Sequence, residues 1–252
     1  MKDRRILYGV IGLVFFLIGI VAYLPAAVVT GWLAGATPLR FNGVTGTVFN
    51  GEAAYVSLPD GGIDNVSWRI RPASLLLGRV TSDIKLSTDL GNLSATYTRT
   101  LLGYNRIADL SGEATLGWAA RLGGYTFVPT SGRLAADIDR LDFDDDLDIT
   151  TLAGHVNITN TRYELLNPAL ALGRFDVDLA SMDDNGIRAT ITDSRGPLAL
   201  TGHADVTANQ RYQLDVRLRA RAGADDRLKR VLSQLGKPGP DGWYDINERG
   251  RL

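Results

Sequence analysis

Tyr212-Gln213-Leu214-Asp215-Val216-Arg217-Leu218-Arg219-Ala220-Arg221 is the stretch whose reading decides the fold. Wound as a helix, it would send Leu214 and Leu218 to the side opposite Tyr212, Val216 and Ala220. Extended, it puts all five apolar side chains on one face and the polar ones on the other. The same period of two recurs outward along the chain. Phe175, Val177 and Leu179 alternate with Arg174, Asp176 and Asp178, and Ile187, Ala189 and Ile191 with Arg188 and Thr190. Nearer the N-terminus, Val80, Ile84 and Leu86 share one face of such a segment, and Leu93, Ala95 and Tyr97 one face of the next. Strands with one greasy and one wet face belong to antiparallel sheets. Between them fall turn-forming clusters, Asp60-Gly61-Gly62, Asp89-Leu90-Gly91-Asn92, Asp183-Asp184-Asn185-Gly186 and Ala208-Asn209-Gln210. Consecutive strands are therefore expected to pair as a meander.

Within the meander a small or hydroxyl residue followed by Gly recurs: Thr45-Gly46, Ser111-Gly112, Ser131-Gly132, Ala153-Gly154 and Thr201-Gly202. The motif is expected at strand starts, where Gly allows a bulge or a close backbone approach. Its spacing is too irregular for a propeller or solenoid. After Thr37 only two stretches read as helical. Pro72 to Leu77 forms a short turn closed by Gly78, and Asp225 to Leu235 carries Leu228, Val231, Leu232 and Leu235 at helical spacing with acidic residues at its positive end. No low-complexity linker divides residues 38–252, which read as one domain.

The opening of the chain is different in kind. Lys2, Arg4 and Arg5 precede an uncharged run from Ile6 to Leu24, and the next charge is Arg40. Such a run at about 1.5 Å per residue nearly spans a hydrocarbon core of about 30 Å. The expected organisation is a cytoplasmic N-terminus over 1–5, a transmembrane anchor over 6–28 and an exported β domain over 38–252, with orientation set by the basic residues. Tyr23 and Trp32 stand where interfacial aromatics would. The competing reading is a cleaved signal peptide, since Ala34-Gly35-Ala36 has the small-x-small form; its distance from an over-long apolar run argues for a retained anchor. Both readings export the remainder to the periplasm.

Composition removes several classes. With 27 basic and 28 acidic residues the formal net charge is -1, so the electrostatic footprint of a nucleic-acid binder is missing. The absence of Cys excludes disulfides and thiolate metal sites. His155 and His203 occupy equivalent places in two copies of the Gly-led motif. They read as structural, because no carboxylate sits at an obvious ligand offset. Asp142, Asp144, Asp145, Asp146 and Asp148 fail as a calcium loop, which needs Gly and Glu where Leu147 and Ala153 stand, and read as a solvated acidic ladder. Arg217, Arg219 and Arg221 read as a basic stripe paired with neighbouring Asp residues. No nucleophile elbow and no phosphate-loop spacing is present. No catalytic residue, cofactor or metal is assigned.

Three segments carry a resemblance. Trp68-Arg69-Ile70-Arg71-Pro72-Ala73-Ser74-Leu75-Leu76-Leu77-Gly78 resembles the W-x-(apolar)-x-P-x-x-L-L-x-G box of the type II secretion system protein N family. Gly43 to Ala53 is similar to its preceding Gly-rich segment. Leu235-Gly236-Lys237-Pro238-Gly239-Pro240-Asp241-Gly242-Trp243-Tyr244 with Gly250-Arg251-Leu252 resembles its closing box. The family-motif residues so marked are Trp68, Pro72, Leu75, Leu76, Gly78, Gly236, Pro238, Gly242 and Tyr244. The leucines of the first box would plug the sheet's end near the membrane.

The resemblance implies a mainly β fold, an elongated, curled antiparallel sheet with an apolar groove behind one N-terminal transmembrane helix. It also implies an accessory, non-enzymatic role in exporting folded proteins from the periplasm of Gram-negative cells, through contacts with other secretion-system subunits. AsmA-like envelope proteins are similar in style, so the alternative is a lipid-binding or lipid-transfer module. In that case Phe175, Val177, Leu179, Leu214, Val216 and Leu218 would line a groove for phospholipid if the apolar face is open, or a core if it is closed.

Overall fold

The computed structural model describes residue 19 and residues 23–58, 61–122, 129–145, 148–183, 186–207 and 211–251. It comprises two compact units, Met1–Thr88 and Asp89–Leu252. The division falls in the turn after Thr88, where the sequence has no linker.

The first unit holds helix α1 (Ala26–Ala36), strands β1 (Arg40–Gly46), β2 (Asn50–Leu58) and β3 (Gly61–Ile70), the single turn α2 (Pro72–Leu75) and strand β4 (Arg79–Thr88). Each strand pairs antiparallel with the next. The second unit holds β5 (Gly91–Thr100), β6 (Asn105–Thr115), α3 (Leu116–Leu122), β7 (Thr130–Phe143), β8 (Ile149–Tyr163) and β9 (Leu170–Ser181). It continues with β10 (Ile187–Arg195), β11 (Leu198–Val206), β12 (Arg211–Ala220), α4 (Asp226–Ser233) and β13 (Tyr244–Arg251). Here too every strand pairs antiparallel with its sequence neighbour. The mainly β, meandering architecture read from the alternation is the one observed.

Register aligns the apolar faces of the second unit. Val156, Val177, Ile191, Gly202, Val216 and Ile246 are cross-strand partners in succession. One end of this face is closed by α4. The Asp225 carboxylate accepts the Arg227 backbone N–H at 2.8 Å and so caps the helix. Leu228 and Leu232, one turn apart, press onto Leu170, Phe175, Leu198 and Leu218 to make the buried cluster. Among the described residues no second sheet packs on the rest of the face.

Several expectations are corrected. α1 and α3 are additional helices; α3 is only seven residues long, too short to show a helical period, yet it buries Trp118 against β6 and β7. The Gly-led motif starts a strand only at Gly132. Gly46 ends β1, and Gly112, Gly154 and Gly202 lie inside strands, because what they meet is crowding across the ladder rather than a strand start. At Gly202, with φ +132, a Cβ would stand 2.2 Å from the Asp215 carbonyl oxygen.

Most of the expected 6–28 anchor, residues 6–18 and 20–22, lies outside the described residues. Among the described residues no helix is long and apolar enough to cross a membrane. Pro25 is extended and bridges to Thr47, the Val48 N–H donates to the Leu24 carbonyl at 3.0 Å, and residues 26–28 begin the separate helix α1.

Replacing Leu228, 1% exposed, by Ala should cost about 2–5 kcal/mol in denaturant unfolding. The same change at Leu235, outside the buried cluster, should stay within about 0.5 kcal/mol.

Candidate functional site

Four places on the molecule gather the residues that the sequence marks. The first is the turn region of the first unit. Trp68 crosses from β3 to the β1–β2 turn, where its indole Nε1–H donates to the Val48 carbonyl at 3.0 Å. It packs against Gly51: a Cβ there would stand 2.6 Å from the Trp68 ring. The Gly-rich segment and the Trp-led box, distant in sequence, are therefore one packed unit. Pro72 opens α2, whose buried Ser74 does the joining. Its hydroxyl donates to the Arg71 carbonyl at 2.6 Å and accepts the Thr81 N–H at 3.0 Å. The leucines do not plug the sheet. Leu75, Leu76 and Leu77 are 44%, 90% and 69% exposed, because Ser74 rather than a leucine points inward. An open cavity of about 580 Å³ between Thr45, Glu52, Ser67, Trp68, Arg69 and Lys85 lies on the same unit.

The second place is the polar face of the second unit, where cross-strand register builds ion pairs that linear spacing conceals. Arg188 on β10 forks onto Asp205 on β11 at 2.7 and 2.8 Å. Arg106 on β6 does the same to Asp142 on β7, which Arg140 also reaches. Asp145 takes Arg99 and the buried Asn105, whose side-chain oxygen accepts the Tyr97 hydroxyl at 2.7 Å. The acidic run is thus no solvated ladder. It straddles the end of β7 and the following turn, and two of its carboxylates clamp β5 and β6; Asp146 lies outside the described residues.

The two histidines do have acidic neighbours, contributed by adjacent strands and by residues two positions away. His155 Nδ1 lies 2.6 Å from Asp178, and His203 Nε2 lies 3.7 and 3.8 Å from Asp205 and Asp215. Among the described residues no His, Asp and Glu group has the form of a metal site.

The third place is the apolar face. Its six marked residues divide into two sets. Phe175 and Leu218 are buried beneath α4, whereas Val177, Leu179, Leu214 and Val216 are half-buried along the stretch that α4 does not reach. The fourth is the closing box. Gly236 and Pro238 follow α4, and a turn in which the Gly239 N–H donates to Trp243 and the Gly242 N–H to Gly239 reverses the chain into β13. Tyr244 then packs on the buried cluster. The basic stripe is divided among different partners: Arg217 pairs with Asp241 and Asp245, Arg219 lies 4.6 Å over the Trp243 ring, and Arg221 donates to Ser194. β13 is an edge. Asp245, Asn247, Arg249 and Arg251 on it are exposed, and among the described residues no strand pairs with its outer side.

The sequence held no signal for Ser74 or Asn105, since each matters through partners fixed only by the turn or the register.

Electrostatics make the polar face acid-sensitive. The Arg188 guanidinium holds the Asp205 carboxyl below the ordinary carboxylate range against its partial burial. At Asp142 burial pushes upward, but Arg106 and Arg140 outweigh it and the pKa still falls. A carboxyl with a depressed folded-state pKa binds protons more readily when unfolded. Its contribution is therefore held above the unfolded value of about 3.9 and lost as pH falls through the lower folded value. Thermal unfolding of the chain should shift downward as pH falls below about 4. Asp205→Asn should flatten that dependence by about 0.2–1 kcal/mol, the worth of a pair whose guanidinium is half exposed.

The family described as Type II secretion system (T2SS), protein N, matches residues 37–247. The protein named Type II secretion system protein N of Vibrio cholerae serotype O1 (strain ATCC 39315 / El Tor Inaba N16961) is 23% identical over 260 residues, covering 99% of this chain and 99% of that one. No solved structure matches.

Proposed function

Because the chain belongs to the type II secretion system protein N family, we propose that it is an inner-membrane-anchored, non-catalytic part of that machine. It displays its sheet in the periplasm and joins other subunits through strand addition at β13. The observation that carries this reading is the bare outer side of β13. A strand edge holds a row of N–H and C=O groups whose hydrogen bonds are open to another chain, and proteins that do not use such an edge cover it. The first edge strand, β1, has α1 packed on it. The charged residues on β13, Asp245, Arg249 and Arg251, suit a partner strand with alternating opposite charge. The orientation rests on Lys2, Arg4 and Arg5 ahead of the uncharged run.

A second reading is favoured by one observation: the stretch of apolar face bearing Val177, Leu179, Leu214 and Val216 has no second sheet upon it among the described residues. An open face of this kind suits an acyl chain. Phospholipid retained by the purified protein through detergent exchange, detected by mass spectrometry, supports that reading, and Val216→Asp should then reduce it.

For the first reading, deletion of the gene should leave the secreted enzymes trapped in the periplasm, and export at the normal level would overturn it. A photoreactive amino acid at Asn247 or Arg249 should cross-link in living cells to a component of the secretion machine. The same probe at Thr190, in the middle of the sheet, should not.

A further inference from the structure

The apolar turn between β3 and β4 is built to project. Proteins seldom leave three consecutive leucines in water, and a contiguous exposed apolar group of this kind marks a contact surface. Leu76 is 90% and Leu77 69% exposed, yet the turn that carries them is firmly held. The Ser74 hydroxyl ties it to Arg71, just past β3, and to β4, the Leu77 N–H donates to the Ser74 carbonyl at 3.0 Å, and the Gly78 N–H to Leu75 at 3.1 Å. The leucines therefore stand out because the backbone is folded to hold them there. Arg71, just past β3 and forked onto Asp83, and Arg79, the first residue of β4, are exposed and flank them.

What they face follows from where the chain enters the unit. β1 ends at Gly46 and β3 at Ile70, and with antiparallel neighbours both ends lie on the same side of the sheet. That side also holds Leu24, whose carbonyl accepts the Val48 N–H, while the Phe49 carbonyl accepts the Ile70 N–H at 2.7 Å. Leu24 immediately precedes Pro25 and lies in the stretch that carries no charge between Arg5 and Arg40. Adjacent strands are about 4.8 Å apart, so the leucine turn stands roughly two strand spacings, about 10 Å, from the point where that run reaches the fold. Tyr23, at the junction, is 81% exposed, as an aromatic at a headgroup layer would be.

We propose that the Leu75-Leu76-Leu77 turn is a second membrane contact, a foot that enters the acyl boundary of the bilayer leaflet from which the anchor emerges. Arg79 meets anionic phospholipid headgroups beside it. This rests on the anchored reading given above. A single helix leaves the domain free to swivel; a foot about 10 Å away fixes which way the sheet leans. Interfacial elements of this kind sink about 5–10 Å, a depth that one leucine tip flanked by basic residues reaches without burying charge.

The chain has no Cys, so Leu76→Cys places one environment-sensitive dye on the full chain, reconstituted in phosphatidylethanolamine–phosphatidylglycerol vesicles. Because Leu76 makes almost no contact within the fold, the substitution leaves folding intact. The expected result is blue-shifted emission, quenched by brominated acyl chains and shielded from aqueous iodide. A dye on Ser57→Cys, at the other end of β2, stays open to iodide. An alkaline wash of the same vesicles separates the two levels. A chain that washes off overturns the anchor and the foot together. A chain that stays while the Leu76 dye is red-shifted and iodide-quenched overturns the foot alone, and assigns the leucines to a protein partner.

Discussion

Hydrogen bonding between strands that are neighbours in the chain is the constraint on which everything else in this molecule depends. Because within each unit every described strand pairs with its neighbours in sequence, backbone donors and acceptors are satisfied locally, and side chains are left to define two faces. Neither face is sealed by a second sheet among the described residues. Apolar burial is concentrated where a helix closes the strand ends, at Leu228 and Leu232 over Phe175 and Leu218. The opposite face is held by guanidinium–carboxylate forks such as Arg188 with Asp205 and Arg106 with Asp142. Each of these is worth little singly, since most of the guanidiniums are exposed; their value is in fixing register, where a slip of one residue would turn every apolar side chain to water.

The family boxes acquire physical meaning in this setting. Trp68 over Gly51 locks the β1–β2 turn to β3, and Ser74 locks β3 to β4. At the other end, the closing turn from Gly239 to Trp243 delivers Tyr244 to the buried cluster and Asp241 to Arg217. Both boxes are corner pieces. They fix where strands stop and in which direction the chain leaves.

Legibility followed the range of the interaction. The alternation in β9 and β12 needs only a short window of sequence, and so the meander and its apolar face could be read directly. α4 was legible because its cap, its acidic first turn and its leucine spacing all lie within one helix. α3 was hidden by its brevity. The polar face was hidden for a different reason: the partners of His155, Asp142 and Asp205 are set by which residues lie opposite each other across strands, and a spacing rule along one strand cannot see them. The Gly-led motif marks close backbone approach without marking where a strand begins. Close approach occurs in the middle of ladders as well as at their beginnings, as Gly112 and Gly202 show. The leucines of the first box were placed inward because they are greasy, whereas the buried position went to Ser74, whose hydroxyl serves two backbone partners at once.

Sequential pairing has a consequence for how such a chain becomes structured. When a strand needs only its predecessor as a template, no strand pairing waits for a distant segment to arrive, and a long loop is closed only later, when α4 settles on Leu170 and Phe175. β sheets of other topologies pair strands far apart in sequence and fold slowly for that reason. This one can lengthen by one hairpin arm at a time, in the order in which residues emerge from a ribosome or a membrane pore. At each stage only the newest arm presents an unpaired margin to the crowded surroundings.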